Sequence, residues 1–512
     1  MRTFALALAF FSLAAAASAE DTPTPTPAPS PSPTPSPAPT VVPSPTPTAT
    51  PSQATSPTCT KVSTDPYAIF SSPETVETYN SYMQSTTVSH FGGLRIRVTG
   101  NPGTSITYLG GTGTGSSVVT QHYSNDAPWN ADQSLIRVEN RTSGGGNPGW
   151  LYLDATTYQV RYADDSLSDA RWHMTMPTVL VGVMGNTLEW FDIVKKAVVT
   201  GKSWTLPFTP NYFGNTNGNA SFDGRFALMH DSSGAYSTIV DMNPQDAGMP
   251  TMSDNYDFTA EGITLTFNYA TVSPSGKHVI VKYDGDHLRV FDVVRDLVNK
   301  RFYIQPHVMP SNVLICTGTA AQGFIYDVGH PDMTMNPYNN NEDVIIGQEH
   351  CGNVGRVIGD GTSGSFVNSN GLGHVVMITM NGGHVTGLTD PSNEAYAYHI
   401  SARNFNNPGW VFVSYMNEPG HEGERFFDEI ISVSMDGKQS VKRIAHTHSD
   451  SESKTSLGSS CASSDGGDFA YRSEPHAAAS RDGTRVIWGS NFFIFGAGNA
   501  ACTVSGFVVD CR

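Results

Sequence analysis

Three stretches, SFDGRFALM (221–229), SPSGKHVIV (273–281) and SRDGTRVIW (480–488), repeat one shape. Each opens on a serine, turns through a glycine, takes a basic residue or threonine, and runs into an apolar strand. Asp-Gly and Ser-Gly suit a tight turn because glycine takes positive φ without steric cost, so the run that follows reads as the second strand of a hairpin. Strand-like closures such as NTLEWFDIV, DHLRVFDVV and VSGFVVD accompany the turns. Together they describe a small four-stranded sheet written several times. Repetition at about 40 to 50 residues is the period of a propeller blade. Long amphipathic helical patterns are nearly absent, so the chain is expected to be all-β.

Blades are placed near Tyr123 to Val160, Arg171 to Val199, Asn219 to Met242, Leu265 to Val294, Ser311 to Gly347, Gly373 to Met435 and Glu474 to Val509. A further strand set, Phe91 to Thr120, completes the ring with the C-terminal strands. The expected architecture is a seven-bladed β-propeller, with six or eight blades also compatible. The sequence N-P-G-W occurs twice, at 147–150 and 407–410. Pro and Gly make a turn there, and the tryptophan opens the strands WLYLD and WVFVSY as a packing residue.

Ahead of this domain, MRTFALALAFFSLAAAASA has the layout of a secretory signal peptide over residues 1–19. Residues 20–57 are almost wholly Pro, Thr, Ser and Ala, a composition that cannot bury a core and favours an extended, disordered spacer. The propeller is assigned to 58–512, and the protein is expected to be secreted and monomeric, without a membrane span. The net charge of −17, from 29 Lys plus Arg against 46 Asp plus Glu, argues against nucleic acid as a partner. The six cysteines, Cys59, Cys316, Cys351, Cys461, Cys502 and Cys511, are even in number, and disulfides are expected in an exported chain. The sequons at Asn140 and Asn219 would accept glycans in a cell that performs N-glycosylation.

The Ser-Pro-Ser-Gly and Ser-Arg-Asp-Gly turns, with the closing pattern EPHAAASRDGTRVIWGSNF (474–492), resemble the blades of TolB-type propellers and of seven-bladed polysaccharide lyases such as oligogalacturonate lyase and the ulvan lyases. That resemblance implies an axial funnel holding His, Arg and Tyr, sometimes with a metal. In oligogalacturonate lyase the metal is held by histidines and a glutamine, some of them just before such a turn. Glu474 and His476 occupy that place here, and the glutamine-centred pattern is missing.

The residues themselves point the same way. His446 and His448 form an H-x-H, and residues two apart on a strand share a face, so both could meet one ion. Together with His476 and Glu474 they are the expected ligands of one divalent ion, Mn, Ca or Zn. His399 and His476 each open an apolar strand, where a propeller presents side chains to its axis. Arg403 could clamp a carboxylate with its planar fork. His173 and Tyr269 sit at similar blade starts.

These groups suit β-elimination from a uronic-acid polymer, with His399, Arg403, His173 and Tyr269 as the catalytic set. A cation neutralises the substrate carboxylate and acidifies the neighbouring proton, a His or Tyr removes it, and an acid assists the leaving oxygen. The expected partner is therefore a polysaccharide. No G-x-S-x-G, H-E-x-x-H, phosphate loop or Asp-box is present. A glycosidase's paired carboxylates stay open, because Asp and Glu are plentiful. So does a non-catalytic propeller that binds carbohydrate or a surface protein.

Overall fold

In the computed structural model each repeated turn is a serine-capped hairpin. Gly224, Gly276 and Gly483 take φ of 72, 74 and 70°. Each glycine N–H donates to the carbonyl of the opening serine, Ser221, Ser273 or Ser480, at 2.8, 2.9 and 2.8 Å. The same serine's Oγ accepts the N–H of the residue that starts the apolar strand, Phe226, His278 or Arg485, at 2.9, 3.1 and 3.0 Å. A buried backbone donor is satisfied where the ladder has not yet begun, which is the physical use of serine at that place.

The structure describes residues 68–69, 80–141, 148–261, 269–308, 324–349, 374–449, 469–492 and 503–512, short interruptions within these spans aside, with the pairs 357–358 and 366–367. The segments read as signal peptide and spacer, and all the cysteines except the buried Cys511, lie outside the described residues. No helix among the described residues is long and apolar enough to cross a membrane.

Strands follow one another as antiparallel meanders. One comprises Ala170–Trp172, Val179–Met184, Thr187–Asp192 and Ala197–Thr205. Then come Phe226–His230, Tyr236–Asp241 and Tyr256–Asp257, and after them Tyr269–Val272, His278–Tyr283, His287–Asp296 and Arg301–Pro306. Phe324–Asn336 and Glu342–Glu349 are continued by Val375–Thr379 and Val385–Gly387. Ala397–Ser401, Trp410–Tyr415, Glu429–Ser434 and Val441–His446 form the next sheet.

The ends of the chain share a sheet. Ala478–Ala479, Arg485–Ser490 and Val504–Asp510 are extended by Leu94–Arg97 and Ser85–Thr87 from the N-terminal side. Val118–Thr120 pairs in parallel with the start of Val504–Asp510 and antiparallel with Leu135–Arg141, which leads into Trp150–Asp154 and Val160–Ala163.

The core lies between these sheets. On His278–Tyr283, Val279 and Val281 pack with Phe226 and Leu228 of the preceding meander, while Ile280 packs with Val328 and Ile345 of the following one. On Arg485–Ser490, Val486 and Trp488 face Phe412 and Ile430, and Ile487 faces Trp129 and Val138. Successive side chains point to opposite faces, and both faces are covered, so these strands are apolar throughout rather than alternating. Trp150 and Tyr152 meet Leu180 and Phe191; Val181 and Trp190 meet Ala227 and Met229; Val344 and Ile346 meet Val411 and Val413. Each cluster joins two consecutive meanders, and the last joins the C-terminal sheet to the first. That closed circuit is a β-propeller.

One blade boundary and one sequon differ from expectation. The stretch Gly373 to Met435 belongs to two sheets, because Val375–Thr379 pairs back onto Glu342–Glu349 while Ala397 starts a new meander. Asn140 is fully buried, and its amide donates to the carbonyls of Thr114 and Pro148, so its sequon is occupied by structure. The N-P-G-W tryptophans do open strands and are nearly buried, and the Arg137 guanidinium lies 3.4 Å above the Trp150 ring.

Candidate metal centre and its aromatic surround

His399 lies in the first strand of its meander, and Glu474 and His476 immediately precede the first strand of the next. Neighbouring first strands bring them together. Glu474 Oε2 is 3.6 Å from His399 Nε2 and 3.4 Å from His476 Nε2, and the two imidazole rings are centred 4.1 Å apart. One ligand atom from each residue lies within 4.8 Å of the others, and all three residues are buried.

Around them stand residues the sequence did not single out. Tyr123 sits against His476 and His399 with centroids 4.8 and 5.2 Å away, and its hydroxyl is 2.9 Å from His330 Nδ1. His330 comes from the first strand of the preceding meander, and its ring is 4.5 Å from that of His399. Tyr398 and Tyr471 complete the surround, Tyr398 at 4.7 Å from His399 and Tyr471 at 4.9 Å from His476. His330 and Tyr398 are half-buried and Tyr471 is exposed, so the group reaches solvent on this side. Gln121 holds the far wall, donating from Nε2 to the carbonyls of Pro475 and His476 at 3.0 and 2.9 Å.

Both His330 and His476 have φ of 41°, a conformation that costs a non-glycine residue free energy and collects at functional sites. Burial, followed by the neighbouring His476 and His330, pushes His399 well below the usual histidine range. Among the described residues neither His399 ring nitrogen has a hydrogen-bond partner. A fully buried, neutral imidazole aimed at a carboxylate and a second imidazole is the donor set of a divalent ion, so these residues fit one. The Tyr123 hydroxyl is held well above the ordinary tyrosine range by burial first, then by Tyr471, Glu474 and Tyr398, and stays protonated.

The other expected site residues are placed elsewhere. His446 ends its strand and His448, at φ 50°, has left the ladder, and their ring centroids lie 5.9 Å apart. His446 packs on His90 and Phe91 and His448 on Phe492, and neither belongs to a three-donor group among the described residues. Arg403 makes a two-point pair with buried Asp332, Nε to Oδ2 at 2.9 Å and Nη2 to Oδ1 at 2.5 Å, with a further bond to the Met333 carbonyl. Tyr269 is buried close to that pair and lines the same small cleft as Arg403, with Asn219 and Phe222.

His173 caps a turn in a different part of the ring. Its Nδ1 accepts the N–H groups of Thr175 and Met176 at 3.2 and 3.1 Å, and its ring packs at 4.2 Å on Trp190. Burial, then Lys202 and Arg481, lowers its pKa to about 4. The folded value lies below the unfolded one, so its contribution to stability is present above about pH 6.5 and is lost as pH falls toward 4. Full protonation costs about 3 kcal/mol. Thermal unfolding followed over this window should show the His173→Gln variant losing less stability on acidification than the wild type; equal slopes would refute the assignment.

No protein-family model matches the chain, and no curated protein matches it in sequence. Solved structures similar to it include oligogalacturonate lyase from Vibrio parahaemolyticus, at 10% identity and a TM-score of 0.46, covering 83% of this chain and 96% of that one. An oligogalacturonate lyase in complex with manganese is 11% identical, with a TM-score of 0.44, covering 83% and 95%. The β-propeller domain of Cps50 (Swd1) from Myceliophteria thermophila is 11% identical, with a TM-score of 0.36, covering 76% and 97%. The chain is a β-propeller by its own strand topology, and its resemblance to these proteins is one of fold. Fold does not assign activity.

Proposed function

We propose that this chain is a secreted, carbohydrate-active propeller of seven blades that cleaves a uronic-acid polymer by β-elimination. The observation that carries the reading is the Tyr123–His330 pair set against the buried His399, Glu474 and His476 donors. Those three residues, two imidazoles and one carboxylate, would hold Mn or Zn in preference to Ca, and the bound ion would supply positive charge for the substrate carboxylate.

The protein's own groups then handle the protons. With Nδ1–H donated to the Tyr123 oxygen, His330 takes the C5 proton on its Nε2. The electrons of that C–H bond form the C4=C5 double bond as the C4–O bond breaks. The protonated Tyr123 hydroxyl is placed to give a proton to the departing oxygen. Tyr398, Tyr396 and Tyr471 form an aromatic rim on which sugar rings can stack.

The count of seven blades rests on the circuit of hydrophobic clusters, and secretion rests on the N-terminal sequence alone. That rim equally suits a non-catalytic carbohydrate binder. A panel of pectate, ulvan, alginate and glucuronan distinguishes the two. Ultraviolet absorbance from unsaturated ends should rise with one polymer. Retention of a polymer without any rise would establish the binder and overturn the lyase.

A further inference from the structure

From the geometry of one sheet edge we infer that the protein holds a second divalent transition-metal ion, of the zinc class, at His278, Asp292 and His307. These residues lie on three adjacent strands or their immediate ends. His278 starts its strand and is paired in register with Asp292 on the next. Asp292 is in turn opposite Gln305, and His307, two residues further, falls on the same face. One ligand atom from each residue lies within 4.8 Å of the other two.

The contacts of His278 orient it as a ligand toward the other two donors. His278 Nδ1 is 3.1 Å from Asp343 Oδ2, on the second strand of the following meander. Asp343 is itself fixed by the N–H and Oγ–H of Ser275. An imidazole whose Nδ1–H is donated to a fixed carboxylate presents the lone pair of Nε2, and that atom faces Asp292 Oδ1 at 3.9 Å, beyond hydrogen-bond reach. This is the carboxylate–histidine–metal arrangement, in which the outer carboxylate sets tautomer and ring direction. His307 Nδ1 is hydrogen-bonded to Asp292 Oδ1 at 2.6 Å, and on ion binding that proton leaves the nitrogen, which becomes the second imidazole ligand. Asp292 is partly exposed while the two histidines are nearly covered, so the site has an entry path and room for a water as fourth ligand. Two imidazoles and one carboxylate select zinc and its neighbours over calcium. Because the donors span three strands and are anchored from the next sheet, a bound ion ties these elements together.

The test is independent of the lyase reading. Full-length protein stripped with chelator is titrated with Zn(II), and separately with Co(II) while visible absorbance is recorded. Measurements are made on the wild type, on His476→Ala to remove the axial site, on His307→Ala, and on the double variant. His476→Ala should still bind one equivalent, show the Co(II) bands, and gain a few degrees in Tm with zinc. His307→Ala should lose one equivalent relative to wild type, and the double variant should bind none. Asp343→Asn should weaken binding by about 10 to 100-fold without abolishing it. Should His307→Ala fail to fold, the Asp343→Asn titration decides alone. Binding by His476→Ala that His307→Ala does not diminish, or no binding by His476→Ala at all, would overturn the inference.

Discussion

The Tyr123→Phe variant is expected to lose about 10²- to 10⁴-fold in elimination rate while keeping its full complement of axial metal. Phenylalanine preserves the ring that packs on His399 and His476 and removes only the hydroxyl that bonds His330. Tyr123 is nearly buried, and its ring contacts, rather than its oxygen, fill the space, so the change in stability should be small. His399→Ala makes the complementary case. It removes a donor from the buried group, so activity and metal should be lost together. Metal analysis and initial rates on the same preparations read both quantities. A Tyr123→Phe enzyme with wild-type turnover would remove the hydroxyl from the chemistry, and a His399→Ala enzyme that retains metal would remove His399 from the ligand set.

The fold was legible because its constraint is local. A serine and a glycine three residues apart, ahead of an apolar run, specify a capped hairpin wherever they occur, as Ser221, Ser273 and Ser480 do. Sheet membership was less so, since Val375–Thr379 returns to Glu342–Glu349 across an intervening stretch that carries no apolar periodicity. Of the site, His399, Glu474 and His476 could be read as polar residues at strand entrances. Tyr123 and His330 could not, because only ring closure puts residues 207 positions apart within hydrogen-bond distance. The H-x-H does bring its two rings within 5.9 Å of each other, but the donor group of the described residues that holds Glu474 and His476 is completed by His399 instead.

Arg403→Ala is expected to cost about 3 to 5 kcal/mol in stability and to leave substrate affinity little changed in whatever protein remains folded. A clamp for a substrate carboxylate would predict the reverse, a raised KM at constant stability. The structure decides by burial and by partner. Arg403 and Asp332 are both almost wholly covered, and two nitrogen–oxygen contacts plus the Met333 carbonyl use the guanidinium's fork. Removing the arginine leaves the Asp332 carboxylate buried between two meanders without its charge partner. Arg403→Lys restores the charge but not the planar fork, so it should recover only part of the loss. Asp332→Ala should destabilise to a similar degree, and the double variant should cost less than the sum of the two singles because the pair acts as one unit. Denaturant unfolding of the four proteins gives this cycle directly. Additive single effects would mean that the two side chains stabilise the ring separately, and unchanged stability with a raised KM would return Arg403 to the substrate.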